Sequence, residues 1–244
     1  VGRVAIYDES NNLIGVATLS NPVLKEEDQD LTFKIRLDMW YNTNMILGID
    51  VSTSICGFSV VADNQILYYN HIDLRKHKGV IKKAQVLKDK IDDLFEAYQC
   101  DGEHAKFGFA DYPIEHIYIE QPFTFFNSGG SSAKTMAILQ KFNGVVSWIV
   151  YEMFDIEPQY VTAMEARKLC GIKVPRGHKA KQVVLEHLLD NEQAFKIEYT
   201  NRGNPKPESY DRADAIIVAK AGYKLQQKKR GSSNIQEWVF LSSW

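Results

Sequence analysis

Between Met45 and Ile72, three apolar runs (46–51, 57–62 and 66–72) follow one another with only short turns between them. This stretch restricts the fold more than any other part of the chain. Runs of this length and spacing pair as antiparallel hairpins, and Ala62-Asp-Asn-Gln supplies the turn chemistry for the second. Apolar residues then recur at Ile81, Ala84, Leu87, Ile91, Leu94 and Tyr98, which is helical spacing. Beyond them come a short run at 117–120, a long helical pattern over 132–154 and another short run at 159–162. Helical patterns at 163–169, 178–189 and 211–226 follow. A meander followed by alternating helix and strand specifies an α/β class: a mixed sheet of five strands flanked by helices.

The segments outside this pattern differ in kind. Residues 1–44 hold short β-like runs at 3–7, 13–19 and 31–37 around an acidic stretch, Lys25-Glu-Glu-Asp-Gln-Asp. They read either as an appended β element or as an addition upstream of an ancestral start at Met45. Residues 197–210 have turn chemistry without periodicity and are expected to be a mobile loop. The expected organisation is a β-rich extension at 1–44, a main domain at 45–230 and a tail at 231–244.

Four acids stand at the ends of the apolar segments. Asp50 closes Ile-Leu-Gly-Ile-Asp, Glu120 closes Ile-Tyr-Ile-Glu, and Asp211 and Asp214 open the last helix in Tyr-Asp-Arg-Ala-Asp-Ala. Singly, each has an ordinary explanation as a turn former, a strand end or a partner of the helix dipole. Acids framed by apolar residues are costly to bury without a cation, so several of them together point to a shared divalent metal. Asp211 and Asp214, three residues apart, project from one helix face. The set reads as a metal-dependent phosphoryl-transfer site.

Composition narrows the setting. In 244 residues the net charge is −2, so any nucleic-acid surface has to come from local clusters. Cys56, Cys100 and Cys170 fit neither a disulfide framework nor a zinc knuckle, and no apolar stretch is long enough for a membrane span. A soluble protein of an intracellular, reducing compartment, with no export signal and no membrane partner, is the expectation. Basic residues cluster at Lys173, Arg176, His178, Lys179 and Lys181, with Arg167 and Lys168 before them, and Lys224 to Arg230 is a basic tail on the final helix. Such runs are often only solvated faces, but the one at 173–181 lies beside the proposed site and suits a DNA backbone.

The order Ile-Leu-Gly-Ile-Asp50, Ile-Glu120-Gln-Pro-Phe and Asp211-Arg-Ala-Asp214-Ala resembles the RuvC-type Holliday junction resolvases of the RNase H-like superfamily, over about 45–223. The resemblance implies an RNase H-like sheet, here with an N-terminal β-rich extension. It implies that Asp50, Glu120, Asp211 and Asp214 are catalytic and bind Mg²⁺, with Mn²⁺ able to substitute. Two metals about 4 Å apart would serve hydrolysis of a phosphodiester. Branched DNA, four-way junctions above all, becomes the implied partner, cut by paired symmetric nicks. Two such nicks require a two-fold homodimer, with the 132–154 helix as its interface.

The resemblance also implies DNA contacts at Phe123, Lys168, Lys173, Arg176, Lys179 and Lys181. Phe123 takes the place of an aromatic that stacks on a base near the crossover, although an aromatic after a strand equally suits core packing. Phage and viral resolvases of this type debranch replicating DNA, which adds an infected host cell to the implied settings. The chain departs from the pattern in Val51-Ser-Thr-Ser, where many resolvases have Pro-Gly-Ser, in a longer segment before Asp211, and in residues 1–44. These departures bear on substrate range.

Two other readings compete. Gly48-Ile-Asp-Val-Ser-Thr-Ser resembles the phosphate loop of sugar kinases and actin-like ATPases, a group that needs a second lobe and leaves Asp211 and Asp214 unexplained. A catalytically silent DNA-binding relative is the other.

Overall fold

The apolar runs pair as their spacing predicts. The computed structural model describes residues 3–7, 13–18, 45–99, 114–122 and 133–237. The chain divides into two units, Val1–Tyr41 and Asn42–Trp244. In the first, β1 (Arg3–Tyr7) and β2 (Leu13–Thr18) form an antiparallel pair. The run expected at 31–37 and the acidic stretch before it lie outside the described residues.

In the second unit β3 (Ile46–Asp50), β4 (Ile55–Ala62) and β5 (Gln65–Asp73) form an antiparallel meander. Asp63 and Asn64 turn the β4–β5 hairpin with φ of 47° and 63°, the left-handed pair that a two-residue hairpin loop requires. Then come α1 (Val80–Gln99), β6 (His116–Glu120), α2 (Ala133–Phe154), β7 (Gln159–Val161), α3 (Ala163–Leu169), α4 (Ala180–Asn191) and α5 (Glu208–Glu237). Strands β6 and β7 run parallel to β3, giving the sheet order β5-β4-β3-β6-β7. This is the expected mixed five-stranded α/β sheet, with helices on both faces.

Strand alternation sends successive side chains to opposite faces. Leu47, Ile49, Phe58, Val60, Ile117 and Ile119 pack with Leu87 and Ile91 of α1 and Phe142 and Val146 of α2. Ile46, Val61 and Tyr118 pack on the other face with Val184 and Leu185 of α4 and Ala213, Ile216 and Ala219 of α5. By the same alternation Asp50 and Glu120 belong to the α5 face, at the C-terminal ends of β3 and β6.

Two expectations are corrected. Residues 197–210 are not irregular: Tyr199 bridges Pro205, Thr200 N–H donates to Asn204 O at 2.7 Å, and Lys206 N–H donates to Glu198 O at 2.9 Å. Tyr69 Oη anchors the base of this hairpin by accepting from Lys196 N–H at 2.9 Å. Gly203, with φ of 78°, closes the turn where a side chain would be strained. The last helix begins at Glu208 and continues to Glu237, well past the expected end at 226. The run Lys224-Leu-Gln-Gln-Lys-Lys-Arg consists of good helix formers and carries it on. No described helix is long and apolar enough to cross a membrane.

Candidate active site

All four predicted acids lie at one end of the sheet. Asp50 ends β3, Glu120 ends the neighbouring parallel strand β6, and Asp211 and Asp214 lie in the first turns of α5. Asp50 is 7% exposed, and its Oδ2 has no hydrogen-bond partner. The backbone of Glu120 is held from two sides: its carbonyl accepts from the buried Asn143 Nδ2 of α2 at 3.2 Å, and the next residue, Gln121, donates its N–H to Val161 O at 2.9 Å.

The side chain of Lys181, from the first turn of α4, reaches into the middle of the group. Its Nζ lies 3.0 Å from Asp211 Oδ1, 3.1 Å from Asp214 Oδ2 and 3.9 Å from Asp50 Oδ2. One ammonium thus faces three carboxylates while the side chain as a whole stays 56% exposed. Among the described residues, no three His, Cys, Asp or Glu side chains close into a metal cage in this arrangement; Lys181 holds the three aspartates instead.

The electrostatics are those of a site with too much negative charge. Burial, then Glu120 and Asp214, raises the Asp50 pKa far above the usual carboxylate range. Burial also raises Asp214, against the pull of Lys181. Glu120 rises from an ordinary 4.5 to about 7, by burial first and Asp214 second, with Lys181 and Arg167 opposing. Burial alone would lower Lys181, yet Asp50, Asp214 and Asp211 outweigh it and keep the ammonium firmly protonated. Hard oxygen donors in excess, one of them buried without a hydrogen bond, fit a divalent cation such as Mg²⁺ or Mn²⁺.

The Glu120 shift has a measurable consequence. The folded chain holds this proton more tightly than the unfolded one, so the contribution to stability is full below about pH 4.5 and is lost as pH rises through 7. Glu120→Gln should remove that loss, so that its stability relative to the parent grows by on the order of 2 kcal/mol between pH 5 and pH 8. Denaturant midpoints in chelator at the two pH values check this. A difference between the two proteins that stays constant with pH would refute it.

The predicted DNA-contact residues disperse around this centre. Lys179 is the N-cap of α4 without a side-chain cap bond, and Arg176 is exposed in the preceding turn. Lys168 and Lys173 line a cavity of about 300 Å³ with Met164, Arg167, Gly171, Ile172 and Val174. Arg167, a weaker candidate from sequence, bears on the acids electrostatically, pulling the pKa of Glu120 and Asp214 down against their burial. Its helix, α3, starts on a side-chain cap: Thr162 Oγ1 accepts from Glu165 N–H at 3.2 Å. Phe123 lies outside the described residues.

No family model and no curated protein matches the chain. Among solved structures, Thermus thermophilus RuvC in complex with Holliday junction substrate is 12% identical at a TM-score of 0.49, covering 75% of this chain and 95% of that one. A second Thermus thermophilus RuvC structure is 15% identical at 0.48, covering 76% and 96%. The yeast mitochondrial Holliday junction resolvase Ydc2 is 13% identical at 0.46, covering 81% and 85%. At these identities and scores the likenesses carry no activity across. What the site does has to be argued from its own side chains.

Proposed function

We propose that this protein is a metal-dependent endonuclease that resolves four-way or otherwise branched DNA by paired symmetric nicks. The observation that carries the proposal is the convergence of Asp50, Asp211 and Asp214 on a single ammonium at the end of the sheet where Glu120 closes the neighbouring strand, with Asp50 Oδ2 buried and without a hydrogen bond. Asp50, Glu120, Asp211 and Asp214 would hold Mg²⁺ or Mn²⁺, which when bound supplies Lewis acidity toward the attacking water and the leaving 3′ oxygen. Sheet and helix fix the acids before substrate arrives, because two are strand ends and two belong to a helix packed on those strands. Lys181 neutralises part of their charge until a metal does so, and its half-exposed side chain leaves it free to swing toward a phosphate.

Arg167, Lys168, Lys173, Arg176 and Lys179 give this flank the cations that a DNA backbone needs. Residues 45–230 form the nuclease domain in this reading, with 1–44 an added β-rich element and 231–244 a tail. A homodimer would present two such centres to symmetric strands, and α2 offers the exposed Trp148 and Tyr151 for the contact. An intracellular location at DNA follows from the substrate.

The test compares a mobile four-way junction with linear duplex in Mg²⁺, using the parent and Asp211→Asn. Paired nicks in the junction are expected, reduced about a thousandfold or more in the variant, a loss of about 4 kcal/mol of transition-state stabilisation. Junction binding should survive the substitution. Failure to cut any branched DNA in Mg²⁺ or Mn²⁺ would replace the nuclease with a silent DNA-binding protein.

A further inference from the structure

A second basic surface lies on the opposite edge of the sheet. Strand β5 runs in the same direction as β3, so the chain leaves it at Asp73 on the carboxylate end; Asp50 pairs with Gly57, and Gly57 with His71. The next residues are Leu74-Arg-Lys-His-Lys-Gly-Val-Ile-Lys-Lys, and no acid follows Asp73 until Asp89. Arg75 is engaged by Asp73 at 2.7 Å. Lys76, Lys78 and Lys82 are exposed and pair with no described residue.

Two hydrogen bonds tie this turn to the loop that follows Asp50. Leu74 N–H donates to Ser54 O at 2.8 Å, and Lys83 Nζ donates to Thr53 O. The backbone that carries these cations is therefore tied to the loop that follows Asp50.

The placement works against the helix that follows. The first turn of α1 contains no acid and carries Lys82, and Lys83 follows directly, at the end where the helix dipole favours anions. Each cation so placed forgoes a few tenths of a kcal/mol, and an anionic partner would reverse the sign. Ile81, 68% exposed, stands among these lysines, an apolar side chain on a surface otherwise suited to phosphate. Charge, backbone donors and position favour DNA over an acidic protein.

We infer that Lys76, Lys78 and Lys82, with the N-terminus of α1, form a phosphate-binding surface that holds a second duplex arm of the branched substrate. This inference rests on the proposed nuclease reading. The basic residues between Arg167 and Lys181 follow β7, at the other edge of the sheet, and five strands about 4.8 Å apart place the two edges about 19 Å from each other. The carboxylates on β3 and β6 lie between them. A linear duplex can use either flank, whereas a junction can use both at once, so the second flank contributes selectivity for branches as well as affinity.

The triple variant Lys76→Ala, Lys78→Ala, Lys82→Ala tests this, because all three side chains are exposed and an unchanged melting temperature is the fold control. Binding of a four-way junction and of a linear duplex is measured by titration across a salt series. Junction affinity should fall about thirtyfold and duplex affinity less than about fivefold. The junction's slope of log K against log[salt] should flatten by about 0.9 for each phosphate that the variant no longer neutralises. If the parent binds and cuts junctions but the variant keeps both slope and affinity, the inference is overturned while the nuclease reading stands. Equal losses on junction and duplex overturn the second-arm assignment. A parent that binds no branched DNA overturns both. Capture of an acidic peptide by the parent alone, with DNA binding unmoved in the variant, assigns the surface to a protein and ends the DNA proposal.

Discussion

The Asp50→Asn protein is expected to be more stable than its parent in chelator and unable to cut DNA. Asp50 is buried, its Oδ2 accepts no hydrogen bond, and burial with its acidic neighbours disfavours the ionised form. Keeping that carboxylate charged at neutral pH opposes folding. Asparagine preserves the shape, removes the charge and brings an amide that can donate to the neighbouring carboxylates. A gain of about 1–3 kcal/mol is expected. The same change deletes the β3 donor of the proposed metal site, and nicking should fall about a thousandfold or more. Denaturant melts in chelator and single-turnover nicking on the same preparations check both halves. A variant no more stable than its parent would mean that Lys181 already balances the cluster, and retained nicking would remove Asp50 from the chemistry. Higher stability bought by lost activity is the mark of a site held under electrostatic strain for function.

The sequence carried the sheet because β3, β4 and β5 are runs whose apolar residues leave few alternatives to a meander. It also carried the acids, because their places at strand ends and at a helix start are set by local pattern. The role of Lys181 was not legible: it stands in a basic run with Lys179, and only the packing of α4 beside α5 brings its ammonium, rather than its neighbour's, among the aspartates. Arg167 was undervalued for the same reason, since its pull on Glu120 depends on where α3 settles against the sheet edge. The run Arg75-Lys76-His77-Lys78 was passed over in the sequence. Its meaning was not legible there, because only the strand directions show that it emerges at the carboxylate end. The hairpin at 198–206 escaped because a bridge of one residue pair leaves no periodicity to read.

Gly57→Ala should destabilise the protein by about 3 kcal/mol or more and displace one of the four acids. A Cβ at Gly57 would lie 2.0 Å from the carbonyl oxygen of Asp211 and 2.6 Å from its carbonyl carbon. Both are backbone atoms of α5, which cannot rotate away as a side-chain tip would, so the helix has to lift from the sheet. Gly48 is a second such close approach, with its Cβ 2.4 Å from Ala219 N, and the same substitution there should be comparably costly. Gly144 on α2 is the counter-case: nothing lies within 4 Å of its Cβ, and Gly144→Ala should stabilise by about 0.5–1 kcal/mol through helix propensity. Thermal melts of the three variants separate close approach from a general intolerance of side chains. A Gly57→Ala protein within about 0.5 kcal/mol of its parent would show that α5 is not pressed on β4 as described. Because Gly57 pairs with Asp50 across the β3–β4 ladder and touches the backbone of Asp211, the absence of one methyl group sets the distance between a strand acid and a helix acid. Any Gly57→Ala protein that still folds should therefore lose nicking in greater proportion than Gly48→Ala, which meets α5 further along the helix, at Ala215 and Ala219, beyond the acids.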